Sequence, residues 1–185
     1  IKNSYKNPII LIASKKLLLN QMHLLNFNYK IKAIDVDFLK LNHLNNKCIN
    51  IINVDYSFRN AFEKISSKSN KYIHNCFDVA LKILARNKGA SLINGPISKR
   101  FFLHGLDLGI TEYLAKKTKI SNVAMLIYNK KLSVSPVTTH LPLKDVHKKI
   151  SKKKIINHVV QIHDFYKKVL KKIPKIAITG LNPHC

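Results

Sequence analysis

Short apolar runs alternate along the chain with segments whose apolar residues recur every three or four positions, the pattern of strand-helix units around a largely parallel sheet. Residues 8–13 read as a buried strand, Ser14 as an N-cap, and residues 15–25 as a helix. Further strands are expected at 31–34 and 49–54. Residues 70–87 set Ile73, Phe77, Ala80, Leu81 and Leu84 at helical spacing, which predicts an amphipathic helix closed by Gly89 in the left-handed conformation.

The second half repeats the theme with more turns. A strand at 90–94 is expected to run into Gly95-Pro96, followed by a short helix at 97–104 and a loop to Ile110. Thr111 then caps a helix over 112–117, and strands at 123–128 and 132–138 are joined by the turn Asn129-Lys130-Lys131 as an antiparallel pair. A helical piece at 145–150, a long helix at 152–171 and a last strand at 176–179 complete the reading. On the long helix, Ile155, Ile156, Val159, Val160, Ile162, His163, Phe165, Tyr166 and Val169 mark the buried stripe.

Composition narrows the classes. With 46% hydrophobic residues in 185, the chain carries enough apolar material for a core, while its longest apolar runs fall far short of the ~20 residues that cross a bilayer. No membrane partner is expected. The three cysteines are scattered without C-x-x-C spacing, which suits a reducing, cytoplasmic setting. The net charge of +24 raises a nucleic-acid-binding module as an alternative. Lysines, however, are spread through nearly every polar stretch, and the densest group, Lys148, Lys149 and 152–154, has no interleaved aromatic residues for stacking. The charge reads as solvated surface, and no nucleic-acid partner is expected.

Candidate chemistry sits where strands are expected to end. His140 follows the strand ending at Thr138, and His184 follows the strand ending at Thr179; carboxyl ends of strands in open α/β sheets form ligand crevices. Neutral imidazoles there can bind one divalent metal, although either residue alone can equally serve as a hydrogen-bonding group. Gly180-Leu181-Asn182-Pro183 restricts the backbone before His184, and Asn94-Gly95-Pro96-Ile97-Ser98-Lys99 offers amides, a hydroxyl and an ammonium to an anion. Thr111 suits phosphate binding as well as capping. His74, His147, His158 and His163 fall within helical patterns, as surface or hydrogen-bonded core residues. The P-loop spacing, the G-x-G-x-x-G fingerprint and the G-x-S-x-G elbow do not occur.

Four pieces, Asn94-Gly95-Pro96-Ile97-Ser98-Lys99, Gly109-Ile110-Thr111-Glu112-Tyr113-Leu114-Ala115, Val137-Thr138-Thr139-His140-Leu141-Pro142-Leu143 and Gly180-Leu181-Asn182-Pro183-His184, occur in the order and approximate spacing of one family. The stretch 94–185 thereby resembles the 4-hydroxythreonine-4-phosphate dehydrogenases of pyridoxal phosphate biosynthesis. The resemblance implies an isocitrate/isopropylmalate-dehydrogenase-like α/β fold of two domains around a cleft, with 1–104 in the first and 105–185 in a second, dimerisation-type domain. It also implies a homodimer, NAD, and a divalent metal (Zn, Mg or Co) held by three histidines, two of them matching His140 and His184. Thr111 matches a substrate-binding threonine, and Lys99 is assigned to the phosphorylated substrate.

The implied reaction is oxidation and decarboxylation of 4-phosphohydroxy-L-threonine to 3-amino-2-oxopropyl phosphate in pyridoxine 5'-phosphate synthesis. Ile110 departs from the family, which commonly has histidine at that position. That departure admits an alternative substrate, a 4-phosphorylated sugar acid of the threonate or erythronate type. Both ends of the chain read as cut, the third histidine and the NAD site are expected beyond Cys185, and the polypeptide as it stands is expected to be inactive.

Overall fold

The computed structural model describes residues 7–87, 89–103 and 109–182, which divide into two compact units, 1–105 and 106–185. In the first unit, strands β1 (Ile10–Ala13), β2 (Ile31–Ala33) and β3 (Ile49–Asn53) form a parallel sheet in the order β1-β3-β2. Ile12 pairs with Ile52, and Lys32 with Asn50. β3 is therefore central, and its run of Ile51 and Ile52 is buried on both faces, as expected of a parallel strand with covered faces. Asn50 is buried beside them because its amide is satisfied: Nδ2 donates to the Ile9 carbonyl (3.1 Å) and the Asn45 carbonyl (2.7 Å).

Helix α1 (Lys15–Leu24) starts as its sequence predicts, with Ser14 Oγ accepting from the Leu17 amide at 3.3 Å. Helix α2 (Asn70–Arg86) buries Phe77, Ala80 and Ile83 along one stripe. Its Tyr72 hydroxyl accepts from the Ser14 amide at 3.0 Å, and burial pushes that phenol up to about 12. Lys82 and Arg86 reach Asp37 at 2.7 and 3.1 Å, and these hydrogen bonds hold its carboxyl below the usual range. α2 ends without Gly89. Asn87 closes it instead, its Nδ2 donating to the Ile83 carbonyl at 2.9 Å. The short helix expected over 97–104 is the single turn α3 (Lys99–Phe102), whose Phe102 ring packs 5.9 Å from Phe77.

The strand expected at 90–94 does not form. Ile93 is 92% exposed, and no ladder in the described sheet extends past β1 or β2; an apolar run becomes a strand only when a neighbour takes its backbone hydrogen bonds. In the second unit the same correction applies twice. The pair expected at 123–128 and 132–138 is reduced to one antiparallel bridge, Ile127 with Val134, tied by hydrogen bonds of 2.8 and 3.0 Å. Residues 176–179 have no strand assignment, and Ile178 stays exposed.

Side chains reinforce that single bridge. Ser135 Oγ donates to the Met125 carbonyl at 2.6 Å, and the Tyr166 hydroxyl donates to Ser133 Oγ at 2.8 Å. The expected helical piece at 145–150 consists of two 3-10 turns, Leu143–Asp145 and His147–Lys149. Helix α5 (Lys152–Phe165) is capped by Ser151 and continues as a π-helical turn, Tyr166–Leu170, before Lys171 stops it at φ 54°. Its expected stripe is only partly covered: Ile155, Val159 and Ile162 are half-buried, while Ile156, Val160, Phe165 and Val169 are exposed. The most buried side chain of α5 is His158, which its sequence position did not suggest.

Candidate functional site

Helix α4 (Ile110–Thr118) organises the chemistry of the second unit. Its N-cap is Gly109, extended at φ −166° and ψ 177°, so Thr111 lies inside the first turn and does not cap the helix. The capping expectation for Thr111 fails because the chain enters the helix two residues earlier. Glu112 lies in that first turn, where a negative charge suits the exposed amide end of the helix. Its Oε1 accepts from Thr139 Oγ1 at 3.2 Å, and its Oε2 is buried with no hydrogen-bond partner.

His140 follows Thr139 directly. Its backbone stands at φ 54°, the left-handed region that non-glycine residues seldom occupy. Such a conformation costs on the order of 1 kcal/mol, and the surrounding contacts hold it. A Cβ placed on Gly109 would lie 2.8 Å from Glu112 Oε2 and 3.5 Å from His140 Nε2, so the absent side chain leaves the space in which carboxylate and imidazole converge. The His140 ring is otherwise exposed and open to a ligand.

The residues named from sequence thus divide. His140 lies near Gly109, the N-cap of α4, and its neighbour Thr139 bonds Glu112, while Thr111 sits in the same first turn of that helix. Lys99 opens α3 in the first unit, exposed, beside the loop of Asn94 and Gly95. His184 lies outside the described residues. Among those that are described, no group of three or more His, Cys, Asp or Glu side chains is arranged to hold a metal ion. The exposed His140 imidazole, on a backbone held at φ 54°, is of the chemical type that can serve as one ligand of a metal ion. No strand ladder precedes His140 among the described residues, contrary to the expected strand end; its ring lies instead near Gly109, the N-cap of α4.

Glu112 escaped attention because a glutamate in a first helical turn ordinarily needs no explanation. The signal available was its place within Gly109-Ile110-Thr111-Glu112, three residues from a small residue that clears room for it. His158 was expected on the surface or with its hydrogen bonds made. It is instead buried with Nδ1 unpartnered, and burial, aided by the Lys154 ammonium, lowers its pKa.

A parallel three-stranded sheet is thus followed by a second unit that sets an exposed histidine and the Glu112 carboxylate beside Gly109. The chain belongs to the family described as Pyridoxal phosphate biosynthetic protein PdxA, whose model matches residues 4–185. It is 35% identical over 164 residues to the 4-hydroxythreonine-4-phosphate dehydrogenase of Sulfurihydrogenibium sp., covering 84% of this chain and 50% of that protein. To the protein of the same name from Neisseria meningitidis serogroup A it is 36% identical over 128 residues, 65% of this chain and 39% of the relative.

The solved structure of a putative 4-hydroxythreonine-4-phosphate dehydrogenase from Salmonella typhimurium superposes with a TM-score of 0.79 at 25% identity, covering 95% of this chain and 55% of that one. The Klebsiella pneumoniae 4-hydroxythreonine-4-phosphate dehydrogenase has the same fold, with a TM-score of 0.76 at 24% identity over 96% of this chain and 55% of its own. The chain thus spans about half the length of the relatives it matches.

Proposed function

We propose that the whole protein is an NAD-dependent dehydrogenase that oxidises and decarboxylates 4-phosphohydroxy-L-threonine to 3-amino-2-oxopropyl phosphate. The observation that carries this reading is His140, held in a left-handed backbone conformation with its ring open beside Gly109 and Glu112, within a segment that follows the family motif. His140 and His184 serve as two of three ligands for a divalent cation. When bound, such a cation stabilises negative charge on the substrate oxygen, both as the hydroxyl is oxidised and as the carboxylate leaves. Thr111, at the amide-rich end of α4, and Lys99, at the start of α3, bind the phosphorylated substrate, since both supply donors to an anion.

The wider architecture belongs to the same proposal: an isocitrate-dehydrogenase-like pair of domains, with residues 1–104 in one and 105–185 in the other, and a homodimer in the cytoplasm. Two findings are compatible with this setting: among the described residues no helix is long and apolar enough to cross a membrane, and Cys48 and Cys76 are free thiols. The positive charge is read as solvated surface.

Ile110 supports a second substrate reading. It begins α4 one residue before Thr111 and its side chain carries no hydrogen-bond donor, which keeps a threonate- or erythronate-type acid open as the substrate. NADH formation by the full-length enzyme with each phosphorylated acid decides between them. Preference for 4-phosphohydroxy-L-threonine by tenfold or more is expected; turnover of the sugar acids alone would replace that substrate, and turnover of neither would remove the dehydrogenase assignment.

A further inference from the structure

A buried carboxylate oxygen without a partner is expensive, on the order of 1–3 kcal/mol even after relaxation, and such groups persist where something in the working state satisfies them. Glu112 Oε2 is such an atom. A glutamate serving only the helix end would face the amides of its own first turn. Glu112 instead reaches Thr139, 27 residues away, which places its carboxylate beside the backbone that presents His140. Oε2 and His140 Nε2 lie 2.8 and 3.5 Å from one point, the position a Cβ of Gly109 would occupy. Because Gly109 is extended at φ −166°, an alanine could adopt its backbone; what the glycine supplies is space.

We propose that Glu112 positions the His140 ring: its Oε2, unpartnered in this structure, is seated against Gly109 and anchored through Oε1 by Thr139, so that it can take up the imidazole Nε2–H and leave Nδ1 to face a ligand. This rests on the reading of His140 as a metal ligand for its purpose, but not for its geometry. A carboxylate behind an imidazole selects the ring's tautomer and orientation, and losing such a partner typically weakens metal binding about 10- to 100-fold. Thr139 donates to Oε1, which keeps Oε2 available for the ring. Glu112 acts through His140 and is a positioning residue.

The test uses full-length protein labelled with 15N at histidine, metal-free and above the histidine titration range, with the His140 signals assigned by their loss in His140→Ala. Wild type is expected to show one neutral tautomer, protonated at Nε2. Glu112→Gln can turn an amide N–H toward the ring and is expected to shift His140 to the other tautomer or to a mixture. Gly109→Ala, which keeps the charge but crowds Oε2 with a methyl group, is expected to give a mixture as well, while Thr139→Ser retains the wild-type pattern. If Glu112→Gln does not fold, as judged by circular dichroism, Gly109→Ala carries the test.

An unchanged single tautomer in the folded variants overturns the proposal, as does a mixture in wild type. Cobalt titration separates this from the functional reading: affinity should fall about 10- to 100-fold in Glu112→Gln. Wild type that binds no cobalt would end the metal reading while leaving the tautomer result standing. Tight cobalt binding with an indifferent tautomer would end the role of Glu112 alone.

Discussion

The two units are built on opposite principles. In residues 1–105, a three-stranded parallel sheet gathers a described core of Met22, Ile51, Ile52, Val54, Ala61, Phe77, Ala80, Ile83, Phe102 and Leu103, half of it contributed by the central strand and α2. In residues 106–185, Tyr113 is the one large apolar side chain among those described that is fully buried, and Ile127, Leu132, Val134, Val160, Val169 and Ile178 are exposed. Yet the second unit holds the strained histidine, the buried bare carboxylate and the buried unpartnered imidazole. Stability is concentrated where backbone ladders are complete, and chemistry where polar groups are left with unused capacity, the division expected when functional groups sit on less constrained elements.

Disrupting the first unit should therefore cost most. Ile51→Ala removes a fully buried side chain from the central strand and is expected to destabilise that unit by roughly 2–5 kcal/mol in denaturant unfolding followed by circular dichroism. A loss below about 1 kcal/mol would show that β3 is not its centre. Asn50→Ala should cost less, about 1–3 kcal/mol, because it strips the Ile9 and Asn45 carbonyls of a donor without opening a large cavity.

The second unit should respond to pH instead. His158 has a folded-state pKa below its ordinary value, so the unfolded chain takes up protons first as pH falls beneath about 6.5, and stability declines over that window. His158→Leu should flatten the decline and be nearly neutral at pH 7.5, since it removes a buried nitrogen that has no partner. A thermal melt series between pH 5 and 8 that shows the same slope in both proteins would remove His158 as its source.

How much the sequence disclosed follows the same division. β1, β2, β3, α1, α2, α4 and α5 were legible because each carries a clear apolar period, confirmed for α1 by the Ser14 cap. The segments at 90–94, 123–138 and 176–179 carry apolar runs as good as that of β2, but strandedness is a property of pairs, and no local pattern announces that partners are missing. His140 drew notice through its motif, whereas Glu112 did not, because its meaning depends on a contact with Thr139 made across 27 residues of sequence. His158 was misjudged for a related reason: a histidine at helical spacing gives no sign of whether its nitrogens will find partners.

The central claim is that His140, presented at the first turn of α4, helps hold a divalent cation on which the dehydrogenase reaction depends. Cobalt titration of the full-length protein, comparing wild type with His140→Ala and His184→Ala by the visible absorption of the bound ion, addresses it directly. The account predicts one site per chain in wild type, and affinity reduced roughly 100-fold or more by either substitution while the fold is retained. Unaltered cobalt uptake by a folded His140→Ala protein would contradict it.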